Sequence, residues 1–326
     1  MLLILSILLA LGGCASQREL VSAAPSMQDR SAPVELADTP FFPDDALQCG
    51  PAALATVLGA SQNGQHYNDL RGSDPATLAR EVYTPGLGGS LQLELVAAAR
   101  QRGFVPYALP PEADALFAEL VAGRPVLVLQ NLRLRTLPAW HYAVVIGADP
   151  VNETVILRSG TEKRLVMPAG KFMRTWDLAE RWGLVLLRPG ELPATLERER
   201  YFAAVAGVEA AGRHADAARA WRAALGPWPD DPVALFGHAT ASHLAGDLAT
   251  AYDAYLALLL LEPGHAAALN NLANLLAGQG CRVAAHIMAQ QALESATPDS
   301  AIAAAARETL QRLEADTVRG GTCELP

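Results

Sequence analysis

Apolar and polar positions change rhythm several times along the 326 residues. The chain opens on an apolar run, Met1-Leu2-Leu3-Ile4-Leu5-Ser6-Ile7-Leu8-Leu9-Ala10. This run is shorter than the ~20 residues needed to cross a bilayer, and it has the length of a signal-segment core. Residues 14–39 are polar beyond Cys14, carry two prolines and show no period, which reads as a tether. From 40 to 189 helical and strand-like periods alternate. The pattern predicts helices over 51–58, 91–102 and 113–122. It then predicts strands over 124–129, 141–146, 154–157, 164–167 and 183–187, with turn residues between them. Helices first and strands afterwards imply an α+β domain built on an antiparallel sheet. A linker is expected over 190–197, and from 198 onward only the helical period remains.

That last region repeats itself. Gly212, Gly246 and Gly280 are 34 residues apart, as are Ala217, Ala251 and Ala285, and Ala224, Leu258 and Ala292. Trp221 and Tyr255 share a register that Ala289 completes; Pro229 and Pro263 close two copies, and Pro298 falls one place late. The pattern resembles three tetratricopeptide repeats over 198–299, in which small residues let paired helices pack and glycine makes the turn. Residues 300–326 then form a capping helix and tail. The resemblance implies an all-α solenoid whose groove holds a protein partner.

Apolar residues make up 51% of the chain, too many for a disordered protein. The net charge of −9 argues against a general nucleic-acid binder. Over 201–300 there are four basic against nine acidic side chains, the composition of a solvated face or of a groove for a partner. Leu11-Gly12-Gly13-Cys14 follows the apolar run and resembles the bacterial lipoprotein cleavage box, although no lysine or arginine precedes it. The resemblance implies cleavage after residue 13 and lipid on Cys14. With no aspartate after Cys14, it also implies an outer-membrane anchor facing the periplasm. In such an oxidising compartment Cys281, in a repeat turn, and Cys323, in the tail, could form a disulfide.

The remaining cysteine carries the candidate chemistry. Gln48-Cys49-Gly50-Pro51-Ala52-Ala53 puts Cys49 just before a helix, where the dipole and free N–H groups favour a thiolate. A thiolate nucleophile needs a histidine. Of the seven histidines only His66 and His141 lie outside the repeat region; His66 sits in a polar loop and His141 begins a strand. The other candidates, His238, His243, His265 and His286, lack metal-ligand spacing. Gly86-Leu87-Gly88-Gly89 lacks the ending of a phosphate loop. No metal and no cofactor is implied.

Four segments in order then resemble the bacteriocin-processing, double-glycine-type cysteine peptidases of the papain-like fold. They are Cys49-Gly50-Pro51-Ala52-Ala53, Gly88-Gly89-Ser90-Leu91, Ala122-Gly123-Arg124-Pro125-Val126 and His141-Tyr142-Ala143-Val144-Val145-Ile146-Gly147. The resemblance implies Cys49 as nucleophile and His141 as general base. Two family positions depart from the pattern. Pro43 and Asp44 stand where the family has its oxyanion-binding glutamine, with Gln48 the substitute next to Cys49. Arg158-Ser159-Gly160 stands where the family has the aspartate that orients the histidine, leaving Ser159 or, in the turn after the strand, Asp149 for that role. The expectation is a lipid-anchored envelope cysteine peptidase whose repeats recruit a protein or peptide. A non-catalytic binding protein of the same fold and a transglutaminase-like acyl transferase are the alternatives.

Overall fold

The structure, a computed structural model, describes residues 32–44, 48–61 and 73–315 together with Cys323. The expected signal segment, Cys14 and His66 lie outside these residues, as does most of the expected tether. Among the described residues no helix is long and apolar enough to cross a membrane.

A seven-stranded antiparallel sheet organises the first half. Its strands are β1 (Val34–Glu35), β2 (Val105–Ala108), β3 (Val126–Asn131), β4 (Trp140–Asp149), β5 (Thr154–Ser159), β6 (Glu162–Pro168) and β7 (Gly183–Leu187). Their order is β2-β7-β3-β4-β5-β6, with β1 paired to β4. Successive side chains alternate between faces, and both faces are covered. Leu127, Leu129, Tyr142, Val144, Ile146, Leu184 and Leu186 pack under α1 (Cys49–Ala60), α2 (Pro75–Val82) and α3 (Gln92–Gln101). Their neighbours Val126, Val128, Ala143, Val145, Val185 and Leu187 belong to the opposite core, with α4 (Ala113–Val121) and α5 (Ala169–Asp177). Two buried faces explain why these strands read as continuous apolar runs.

Five strands and three helices fall where the periodicity places them, within a few residues at each end. The sequence reading did not include α2, α5, β1 or β2. β2 has four residues, one of them Pro106, and β1 has two, too few to show a period. α2 is eight residues long and is started by Asp74, whose side chain accepts the Thr77 N–H at 3.0 Å.

The second half is helical: α6 (Arg198–Ala210), α7 (His214–Ala224), α8 (Pro232–Leu244), α9 (Leu248–Leu261), α10 (Ala266–Gly278), α11 (Arg282–Ser295) and α12 (Ala301–Ala315). Gly212, Gly246 and Gly280 lie between the first and second helix of each pair with φ of 75°, 84° and 75°, a conformation that strongly favours glycine. The matching Ala217, Ala251 and Ala285 are fully buried, as are Ala224, Leu258 and Ala292. Cys281 and Cys323 are joined as a disulfide with their Cα atoms 4.4 Å apart, tying the tail to the start of α11.

Residues 190–197, expected as a linker, are held against the sheet domain. The Ala194 N–H donates to Glu119 Oε1 at 2.7 Å, and the buried Glu119 also accepts from Arg124 Nε at 2.5 Å. Tyr107 OH donates to Thr195 O at 2.8 Å and accepts from the Glu197 N–H at 3.2 Å. α6 packs on β2, so one apolar core runs from the sheet through Tyr201, Phe202 and Val205 to Trp221 and Ala234.

Candidate active site

Cys49 is the first residue of α1, a helix buried from Gly50 to Leu58 by its alanine- and leucine-rich sequence. The first intrahelical bond runs from Ala52 N to Gln48 O, and Pro51 has no N–H. The Cys49 and Gly50 N–H groups therefore head the helix without intrahelical partners. Gly50 has no room for a side chain: a Cβ there would sit 2.9 Å from Ser90.

His141 and Ser159 come together because β4 and β5 pair with Val144 opposite Arg158. Ser159 Oγ lies 2.8 Å from His141 Nε2. Nδ1 is then the ring nitrogen left to serve Cys49. One ring nitrogen of His141, the Cys49 sulfur and a carboxylate oxygen of Asp44 all lie within 4.8 Å of one another. These three side chains could hold a metal ion.

Asp44 is buried and fixed from two sides. Its N–H donates to Gly160 O at 3.0 Å, and its Oδ1 accepts the Gln48 N–H at 3.1 Å. Nearby, the buried Arg158 guanidinium donates to the carbonyls of Ala37, Thr39 and Lys163, locking the segment before Asp44 to the sheet. Asp149 is elsewhere. Its carboxylate accepts the N–H groups of Val151 and Asn152 and the Asn152 amide, making the β4–β5 turn and nothing for His141. Gln48 is exposed, and its described contact is through its main chain to Asp44.

The electrostatics differ from what a helix start alone suggests. Burial pushes the Cys49 thiol above its ordinary range; the N–H of Tyr142 and those of Gly50 and Cys49 act against this, and the Asp44 charge adds to it. Burial lowers His141, with Asp44 opposing. The expected thiolate stabilisation at the helix start is thus outweighed by desolvation and a neighbouring anion. Both shifts favour the uncharged thiol and imidazole over the thiolate–imidazolium pair.

A cleft of about 680 Å³ opens beside Cys49, between Gly88–Gln92 and Leu178–Glu180, with Leu129, Trp140 and Tyr142 along it. The glycine run that resembled a loop motif turns here, with Gly88 at φ 63° and Thr84 bridged to Gly89. Ser90 Oγ is buried on this wall without a hydrogen-bond partner among the described residues. Trp140 is 55% exposed. Ser90 and Tyr142 lie within the quoted segments but, like Trp140, had no role assigned from sequence, because exposure and an unpaired hydroxyl are tertiary facts. Two of the repeat-region histidines make local structural contacts. His238 Nδ1 lies 3.1 Å from Ala218 O, and His265 Nδ1 accepts the Ala268 N–H to cap α10.

No family model matches the chain, and no curated protein matches it. Among solved structures, a Bacillus anthracis protein named for its likeness to C39 peptidases aligns with 18% identity and a TM-score of 0.38, over 48% of this chain and 98% of its own. The Yersinia enterocolitica type III secretion translocator chaperone SycD aligns with 16% identity and a TM-score of 0.34, over 36% of this chain and 81% of its own. Likenesses this distant identify neither a family nor an activity for the chain.

Proposed function

We propose that the chain is a cysteine peptidase of papain-like architecture, cleaving a peptide or protein that lies in the cleft beside Cys49. The observation that carries this reading is the convergence of three groups at one cleft wall. A thiol heads a buried helix, an imidazole stands within 4.8 Å of it, and a hydroxyl holds the far ring nitrogen at 2.8 Å. His141 Nδ1 takes the thiol proton as the sulfur attacks the peptide carbonyl, then returns it to the leaving amine. A water activated by the same nitrogen releases the acyl group and regenerates the thiol. The Cys49 N–H is the main-chain donor for the oxyanion. Ser90 Oγ, left unpaired at a cost of about 1–3 kcal/mol, would regain a partner in a bound peptide's backbone.

The anchoring and recruiting parts of the proposal rest on sequence. Cys14 carries the lipid, the enzyme faces the periplasm from the outer membrane, and the 34-residue tetratricopeptide repeats recruit a protein substrate or partner. One observation favours the second reading, a non-catalytic peptide-binding protein: the Asp44 carboxylate stands against the thiol and repels a developing oxyanion.

A peptidyl electrophile that alkylates active thiols separates the two. Labelling is expected on Cys49, absent in C49A and strongly reduced in H141A. Cys49 labelling indifferent to H141A overturns the peptidase reading. A digest profiled beside C49A then gives the cleavage preference, and a peptide–amine adduct in place of a hydrolysed product reveals acyl transfer.

A further inference from the structure

We propose that Asp44, Cys49 and His141 form a binding site for a divalent transition metal of the zinc class, and that the metal-bound form is the switched-off form of the protein. The inference shares its thiol and imidazole with the peptidase reading, but it does not require that a peptide be cut.

In an ordinary Cys–His pair an acidic residue belongs on the far side of the imidazole, where it orients the ring. Here the neutral Ser159 holds Nε2, and the carboxylate has an oxygen within 4.8 Å of the thiol sulfur. That placement disfavours an oxyanion but suits a cation. Sulfur, imidazole nitrogen and carboxylate oxygen are three of the donor types zinc takes, with bonds of about 2.0–2.3 Å and tetrahedral donors therefore about 3.5 Å apart. The three donors already lie within 4.8 Å of one another, so they need to draw in by no more than about 1.3 Å.

Charge supports the assignment. A thiolate and a carboxylate together cancel the charge of a dication, whereas a thiolate and imidazole alone would leave one further positive charge close to the buried Arg158 guanidinium. A glutamine at position 44 would leave that excess; Asp44 removes it. Two of the three ligands, Asp44 and Cys49, also border a small cavity of about 10 Å³ with Tyr142, Arg158, Ser159 and Gly160; His141 is not on its lining. This is roughly the space of one water-sized sphere. Ser159 on Nε2 fixes the ring so that Nδ1 faces the ion, the part that an outer partner commonly plays for a histidine ligand.

Binding is an exchange. The metal ion sheds waters, the Cys49 S–H bond breaks with its proton going to solvent, and the sulfur lone pair becomes a metal bond. Nδ1 and one Asp44 oxygen supply the second and third ligands, and a retained water completes four. The metal draws charge from the sulfur and blocks its approach to a carbonyl, and Nδ1 cannot take a proton.

The test uses the full chain with C14S, so that Cys49 is the free thiol while Cys281 and Cys323 stay bonded. Stripped protein is titrated with Co²⁺ and with Zn²⁺, reading bound metal per chain and the thiolate-to-cobalt charge-transfer band. One metal per chain is expected, with the band lost in C49S. S159A should weaken binding by about tenfold, the lower end for an outer-shell partner, and D44N by more than S159A. Stoichiometric Zn²⁺ should block labelling of Cys49 by the peptidyl electrophile, and a chelator should restore it. D44N keeps the side-chain volume and an acceptor for the Gln48 N–H, so it carries the test if C49S fails to fold. No band, or an affinity indifferent to D44N, overturns the metal site. If stripped protein labels normally without binding metal, the metal site fails and the peptidase stands. A D44-dependent band on a thiol that never labels fails the peptidase and leaves the metal site.

Discussion

A carboxylate on the thiol side of a Cys–His pair acts in opposite senses on its two neighbours. The Asp44 charge disfavours the Cys49 thiolate, already penalised by burial, and favours the His141 imidazolium, which burial disfavours. Since the thiol's ionisation is raised, the thiolate population grows only on the alkaline side of an ordinary cysteine's range. Alkylation of Cys49 by iodoacetamide should therefore stay slow through neutral pH and accelerate above it. A negative neighbour raises an acid's pKa, so D44N should move the alkylation profile to lower pH; an unmoved profile would place the Asp44 charge away from the sulfur. In the peptidase reading D44Q goes further, because an added oxyanion donor is worth up to about 10²–10³ in kcat. Turnover of a cleaved peptide by D44Q should exceed that of the parent chain. Ser159 orients without charge. S159A should lower kcat with KM held, by less than the roughly 10²–10⁴-fold loss expected for H141A. The motif pieces lead directly to Cys49, at the head of a helix, and to His141, near the start of a strand; Ser159 was one of two candidates beside Asp149, and the pairing of β4 with β5 sets it against the ring. The side on which Asp44 would stand was not legible. It is set by the Gly160 carbonyl, 116 residues along the chain, through the bond that the Asp44 N–H donates to it.

At the scale of elements, the 34-residue period is legible because each repeated position has one job. The glycines adopt a left-handed turn, and the small residues let neighbouring helices close. Departures from the period are equally informative. Gly237 in α8 is followed 34 residues later by Asn271, and the reason lies in the partner. A Cβ at Gly237 would stand 2.4 Å from the Trp221 indole, whereas the equivalent Tyr255 is smaller and hydrogen-bonds Asn271. G237A should therefore destabilise the helical half. Overpacking costs about 1–3 kcal/mol, against about 1 kcal/mol gained from alanine's helix propensity. G278A is the control: it ends α10 with nothing within 4 Å of the new methyl. A lower urea midpoint is expected for G237A, and no loss for G278A. Equal behaviour would mean that Trp221 can shift at no cost. The short elements were illegible for a different reason. β2 carries Pro106 and is recognisable as a strand only through its pairing with β7 (Pro106 opposite Leu186).

For the whole molecule, the question is whether the sheet domain and the repeats are two bodies joined by a linker or one. Tyr107 is fully buried, and both hydrogen bonds of its hydroxyl go to residues 195 and 197. Glu119 is equally buried, and its carboxylate spans Arg124 of the sheet domain and the Ala194 N–H. Removing everything after 189 would leave the Tyr107 hydroxyl and one Glu119 oxygen without these partners, and would uncover the apolar surface on which α6 lies. Polar groups can be rehydrated; the exposed Val105 and its apolar neighbours cannot, and each fully uncovered side chain of this size forfeits about 1.5–3 kcal/mol. The segment read from sequence as a linker is thus part of what closes the sheet domain's core, and the first repeat is continuous with that core. A fragment ending at residue 189 should melt well below the full chain or aggregate, while one extended through α8 should recover most of the stability. Calorimetry of the three chains decides it. If the short fragment melts at the temperature of the full chain's first transition, the two halves are independent, and anything bound on the repeats would reach Cys49 only across a free joint. If it does not, whatever the repeat surface binds is held at a fixed distance from the cleft.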